Sequence, residues 1–308
     1  MINMNKLGHF AGISFAVIFG FSFMFSKIAL EYVSPMGVIA YRFLLAFLVF
    51  ELLRLTKVVK IRFQKHFIMP VFLVAIFQPI LYFIFETYGL DLTTSAEAGM
   101  MIALIPIFVT ILSTVFLNEK PTKTQLLFIL LSVSGIVLIQ VLKSGFNLNS
   151  NIFGFFLLFF AVLSAALFNI ASRKASEHLK AHELTYFMML SGAIVFNIIY
   201  VIQLAAGQNL GDYFGSINNV EFIISIAYLG IVASIGGFFL VNFALGILPA
   251  HVSSIYANLS TVVAVIAGYL ILKEAVYWYH LVGGIMIIAG VYGTARVNFK
   301  NQIIRRKQ

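Results

Sequence analysis

Ten apolar runs divide this sequence, and they limit its fold more than any other feature. They cover residues 7–30, 35–53, 67–90, 93–117, 122–142, 152–172, 183–205, 221–244, 250–272 and 276–297. Charged, polar, Gly and Pro residues cluster in the short links between them. Each run is long enough for a helix to cross a hydrocarbon core, which takes about 20 residues. A spanning helix also satisfies its own backbone hydrogen bonds, and links this short rule out spanning strands. Composition agrees: 61% of the 308 residues are hydrophobic and 10% are charged, with a mean hydropathy of +1.02. A soluble domain carries roughly a quarter charged residues. The chain reads as an all-α integral membrane protein with ten transmembrane helices. The first run is too long for a signal-peptide core and lacks a small-x-small cleavage site, so it counts as the first helix.

The basic residues set the orientation. With the N-terminus inside, one side collects Lys6, Arg54, Lys57, Lys60, Arg62, Lys65, Lys120, Lys123, Arg173, Lys174, Lys180, Arg296, Lys300, Arg305, Arg306 and Lys307. The other side receives Lys143 and Lys273. Sixteen against two places both termini in the cytoplasm of a plasma (inner) membrane protein. The net charge of +9 is therefore topological, and no nucleic-acid partner is expected. The link "RLTKVVKIRFQKH", residues 54–66, is suited to anionic lipid headgroups as well as to fixing topology. There is no cysteine, and the six histidines show no ligand spacing, so neither a metal nor a cofactor is expected.

The chain also matches itself. An offset of 155 carries Leu90, Leu104, Leu117, Glu119 and Gly135 onto Leu245, Leu259, Leu272, Glu274 and Gly290. An offset of 146 carries Gly8, Ser26, Ala29 and Glu31 onto Gly154, Ser172, Ala175 and Glu177. Glu119 and Glu274 each close a run, in "FLNEK" and "ILKEA". Repeats of five helices, residues 1–146 and 147–308, must cross the membrane in opposite senses. Two oppositely facing halves around a central site are the plan of a carrier that alternates its access.

Three stretches resemble one family. "FGFSFMFSKIALEYVSPMGVIAYRFLLA" is similar to the first two helices of EamA-type members of the drug/metabolite transporter superfamily. "TTSAEAGMMIALIPIFVTILSTVFLNEKPTKTQLLFILLSVSGIVLI" resembles the family's fourth and fifth helices, and "ILKEAVYWYHLVGGIMIIAGVY" the matching end of its second repeat. Phe19 departs from the pattern, where the family often has tryptophan. The resemblance implies transport of small organic solutes, often outward.

Inside the runs, charges need explaining. At about 1.5 Å rise per residue, Lys27 lies about 5 Å and Arg42 about 10 Å from the outer surface. Glu86 and Glu97 also fall in the outer half, so the four are expected to form a charge cluster along the substrate pathway, because an unpaired charge there is costly. Matching depths favour a Lys27–Glu86 pair, leaving Arg42 to meet Glu97 or a substrate anion. The alternatives are Lys27 as an interfacial anchor and the two glutamates as boundary residues. Among the polar residues Gln78, Tyr82, Asn169, Asn197, Asn242, Tyr256 and Asn258, helix–helix bonding is the ordinary role. Gln78, Tyr82, Asn169, Tyr256 and Asn258 are the candidates for a pocket. Pro79, Pro106 and Thr261 are expected to bend their helices, and Gly236 with Gly237 is a further hinge candidate.

These features favour a secondary transporter over other classes. No Walker motif is present, so ATP does not drive it directly. The expected cargo is a small metabolite, amino acid or drug-like amphiphile, exported or exchanged. A carrier of phosphorylated metabolites or sugar nucleotides is the alternative, but it needs more cations at depth than Lys27 and Arg42. An integral-membrane enzyme would need a paired-His site, nucleophile elbow or acidic pair in a loop, and none appears. A monomer suffices for this plan, and the sequence leaves the oligomeric state open.

Overall fold

The computed structural model describes residues 4–61, 67–92, 101–102, 104–144, 152–207, 213, 215–271 and 276–307, which are helical and carry no strand. Helices α1 (Met4–Ala29) and α2 (Pro35–Leu55) form the first hairpin. Its turn follows from local chemistry. The Ser34 side chain accepts from the N–H of Gly37, and Pro35, which has no N–H to satisfy, opens α2. The next span is interrupted: α3 (Ile68–Ala75), a widened π-type turn (Ile76–Leu81) and α4 (Tyr82–Asp91). Then come α5 (Ile105–Phe116), α6 (Lys123–Ser144), α7 (Ile152–Ala175) and α8 (Ala181–Ala206). Helix α9 (Val220–Ala227), a second widened segment (Tyr228–Gly237) and α10 (Phe238–Ile247) make one further span. The last are α11 (Ala250–Ser254), α12 (Tyr256–Ile271) and α13 (Trp278–Lys307).

Eight helical stretches among the described residues are long and apolar enough to cross a membrane. Two shorter apolar helices, Ile105–Phe116 and Lys123–Ile139, lie within the runs expected at 93–117 and 122–142.

Packing is closest where side chains are smallest. Helix α6 lies against α13, with Gly135 and Gly283 in contact: a Cβ on either would sit 2.6 Å from the other's carbonyl oxygen. Such contacts let helix backbones approach without relying on a hydrophobic drive that lipid cannot supply. Helix α2 buries Phe43, Ala46 and Phe50 and packs on α8, whose Gly192 leaves room for the Phe43 ring. Leu52, Leu127, Ile152, Ile202, Leu270 and Ile285 are exposed outward, as in a chain that meets lipid.

Candidate functional site

The break in the third span follows from one proline. Pro79 cannot donate to a helical ladder, and its ring drives the preceding residue out of the helical region. Gln78 is accordingly extended, at φ −150° and ψ 121°. The chain recovers as α4, which carries Tyr82, Phe83 and Glu86 over its first turn and a half. The second widened segment carries Ser234, Gly236 and Gly237. Phe19 packs against its end, with Gly237 leaving space for the ring. The offset of 155 places residues 76–81 on 231–236, inside this second segment. Widened turns of this kind free backbone groups and are frequent at functional sites.

Arg42 stands between the second widened segment and α4, which follows the first. It is only 8% exposed. Its Nε donates to Ser234 Oγ at 2.6 Å. Its guanidinium lies 5.4 Å from the centre of the Phe83 ring and 5.8 Å from that of Phe43, in cation–π range. Glu86 and Tyr82 are its electrostatic neighbours, but Arg42 and Glu86 are not joined by an ion pair. Among the described residues the two Nη groups of Arg42 make no hydrogen bond. A guanidinium has five donors, and in Arg42 only that at Nε has a hydrogen-bond partner among the described residues. The arrangement is a buried cation, walled by aromatic rings, with room in its bonding for an acceptor.

The structure redistributes the expected charge cluster. Glu86 faces Arg42 and not Lys27, so the pair read from matching depths is corrected. Lys27 is exposed in the last turn of α1, where a cation complements the helix C-terminus. Depth alone misassigned it because depth says nothing about direction around the helix. Glu97 and Glu274 lie outside the described residues.

The polar candidates divide in the same way. Gln78 and Tyr82 belong to the interrupted span beside Arg42. Asn169 returns its amide to the Ala165 carbonyl of its own helix at 2.8 Å. Tyr256 hydrogen-bonds His9, joining α12 to α1, and Asn258 donates to Ser132 of α6 at 3.2 Å. Tyr256 and Asn258 are occupied in holding the bundle. So are Asn197, bonded to the Ala40 carbonyl and to Tyr213, and Asn242, bonded to Ser172 and Thr185.

Of the expected bends, that at Pro79 occurs as read. Pro106 stands in the first turn of α5, where its missing N–H costs nothing; residues 101–102 before it are helical too, with a turn at Leu104 between the two. Thr261 lies inside the uninterrupted α12, and the break in that span falls earlier, at Ile255. Glu119 accepts a charged hydrogen bond from Arg173 at 2.8 Å. Ser234, Phe43 and Phe83 were not anticipated from the sequence. The glycines beside Ser234 were the available signal for it.

Two segments of the chain, residues 6–141 and 152–296, match the EamA-like transporter family. The "Uncharacterized transporter YcxC" of Bacillus subtilis (strain 168) is 36% identical over 93% of this chain and 92% of its own length. An "Uncharacterized transporter" of Archaeoglobus fulgidus is 26% identical over 90% of this chain and 94% of its own. A solved protein structure shares the fold, with a TM-score of 0.78 at 14% identity, over 95% of this chain and 98% of that one. With its apolar helices, the chain is a multi-pass membrane protein and belongs to the EamA-like transporter family.

Proposed function

We propose that the chain is a secondary transporter that exports or exchanges a small metabolite, amino acid or drug-like amphiphile by alternating access. The observation carrying this reading is Arg42, a buried cation bound at one edge by Ser234 and idle at its Nη groups. Its place between two interrupted spans is where carriers built from repeats bind their cargo. The charged or polar end of the solute meets Arg42, with Tyr82 and Glu86 beside it and Gln78 in the same interrupted span, while Phe43 and Phe83 cover its apolar part. A phosphorylated cargo would call for a second cation, and the charged neighbour of Arg42 is instead Glu86.

The halves 1–146 and 147–308 act in this reading as inverted five-helix repeats, giving ten spans in all. Both the double family match and the coincidence of residues 76–81 with the second widened segment at the offset of 155 support it. The basic side, with both termini, faces the cytoplasm of a plasma membrane, and the 54–66 link meets anionic headgroups.

Counterflow of labelled solutes in proteoliposomes tests the function. Saturable exchange of at least one solute is expected, and Arg42→Gln abolishes it while the protein stays folded. No exchange across a broad panel, together with modification of lipid by the pure protein, would replace the carrier with an enzyme.

A further inference from the structure

A second charged centre lies away from Arg42, and its construction is different. Helix α5 ends at Phe116, and Asn118 takes a left-handed φ of 55°, which asparagine tolerates. The N–H of Glu119 returns to the Ser113 carbonyl at 3.1 Å, fixing the backbone that presents the carboxylate. One carboxylate oxygen accepts from Arg173 Nε at 2.8 Å, and the other from the N–H of Ala250 at 2.7 Å. Arg173 Nη1 donates to the carbonyls of Leu245 and Gly246, at 3.0 and 3.1 Å. Those carbonyls end α10 and the Ala250 N–H opens α11, so the pair satisfies orphan groups on both sides of one chain break.

We infer that Glu119 and Arg173 form a latch that closes the transport pathway at their end of the bundle and parts in each cycle; this rests on the transporter reading above. Three observations carry it. The pair joins the two regions that match the family separately, since Glu119 belongs to 6–141 and Arg173, Gly246 and Ala250 to 152–296. It stays within reach of water, its side chains being 26% and 17% exposed, so it can open at modest cost. It also holds the span that carries Ser234, which lies about 16 Å along the chain from Leu245, so latch and Arg42 site share one span. The charges recur in sequence, because the offset of 146 takes Arg173 back to Lys27 and that of 155 takes Glu119 on to Glu274.

The chain has no cysteine, so introduced thiols report alone. Ser253, 1% exposed on α11, becomes Ser253→Cys, and its labelling by a membrane-impermeant maleimide is followed in proteoliposomes. Adding Glu119→Gln is expected to speed labelling about tenfold, as befits loss of charge-assisted hydrogen bonds. Ala166→Cys, fully buried in α7, stays unlabelled in the same background and so certifies the fold. Unchanged labelling of Ser253→Cys overturns the latch, and because no transported solute is needed, that failure is separate from failure of the transporter reading. Should Ala166→Cys react too, a second variant decides. Glu119→Cys with Arg173→Cys, bridged by a short reductant-cleavable bis-thiosulfonate, is expected to stop counterflow and to recover on reduction. Exchange at the unbridged rate while bridged would make the pair a static fastening.

Discussion

Arg42 and Arg173 are both held by hydrogen bonds at Nε, and there the likeness ends. Arg42 is buried in the middle of α2 and donates to a neutral hydroxyl. Arg173 sits in the last turn of α7, a quarter exposed, and donates to a carboxylate and to two carbonyls. The better-solvated arginine is thus the better satisfied one. Energetics would predict the reverse for a bundle built only for stability, because a buried cation gains most from partners. The inversion is what the proposed transport function expects of Arg42 as a cargo site and of Arg173 as a junction.

Paired substitutions give the sharpest break between the two. Arg42→Gln is expected to weaken solute binding about 100-fold, the value of a charge-assisted hydrogen-bonding pair at the upper end of its range. Its own melting temperature should hold or rise, since a poorly satisfied buried charge is removed. Arg173→Gln should do the opposite, lowering the melting temperature while leaving solute affinity within about threefold. Thermal melts with and without the exchanged solute read both quantities at once, because ligand stabilisation follows binding to the folded state. Equal loss of affinity in the two variants would remove the distinction.

Glu86→Gln has the next largest effect and says what the cargo is. Glu86 is the carboxyl neighbour of Arg42 without being its ion-pair partner. If the cargo is an anion, the carboxylate opposes it, and Glu86→Gln tightens binding about tenfold at an effective dielectric near 20. A weaker complex in the same titration would mean that Glu86 holds a cationic group, and the cargo would then be zwitterionic.

Local rules made parts of this legible in the sequence. The Ser34–Pro35 start of α2 and the extended Gln78 before Pro79 depend on neighbours one or two residues away. The depth of Arg42 needed only helical rise. What it faces did not follow, because Ser234 is 192 positions distant and no property of Ser234 itself announces the contact. Arg173 was read as one of sixteen topology charges, since a basic residue at a helix end looks the same whether it meets water or Glu119. The start of α5 was hidden for another reason. The apolar run that contains it continues smoothly through residue 104, so hydropathy gives no sign of the point at which the helix begins. Apolar patterning locates membrane segments well and locates breaks within them poorly. The ionic and hydroxyl partners are set by packing between segments, which no single-segment pattern encodes.

Ser234→Ala should have the smallest effect, and it tests whether the two irregular segments act together. The hydroxyl contributes one hydrogen bond to Arg42, and removing it leaves the guanidinium charged, with its aromatic walls intact. A positioning bond of this sort is expected to change solute affinity only about threefold. Its signature is a loss of geometric discrimination: planar acceptors that need both Nη groups aligned should suffer more than compact ones. Combining it with Glu86→Gln then measures coupling through Arg42. If both substitutions act by positioning and charging the same guanidinium, their effects on affinity will not add, because residues sharing one partner are energetically coupled. Simple additivity would mean that Ser234 holds Arg42 in a position the cargo does not use, and the binding site would then lie on the α4 side alone.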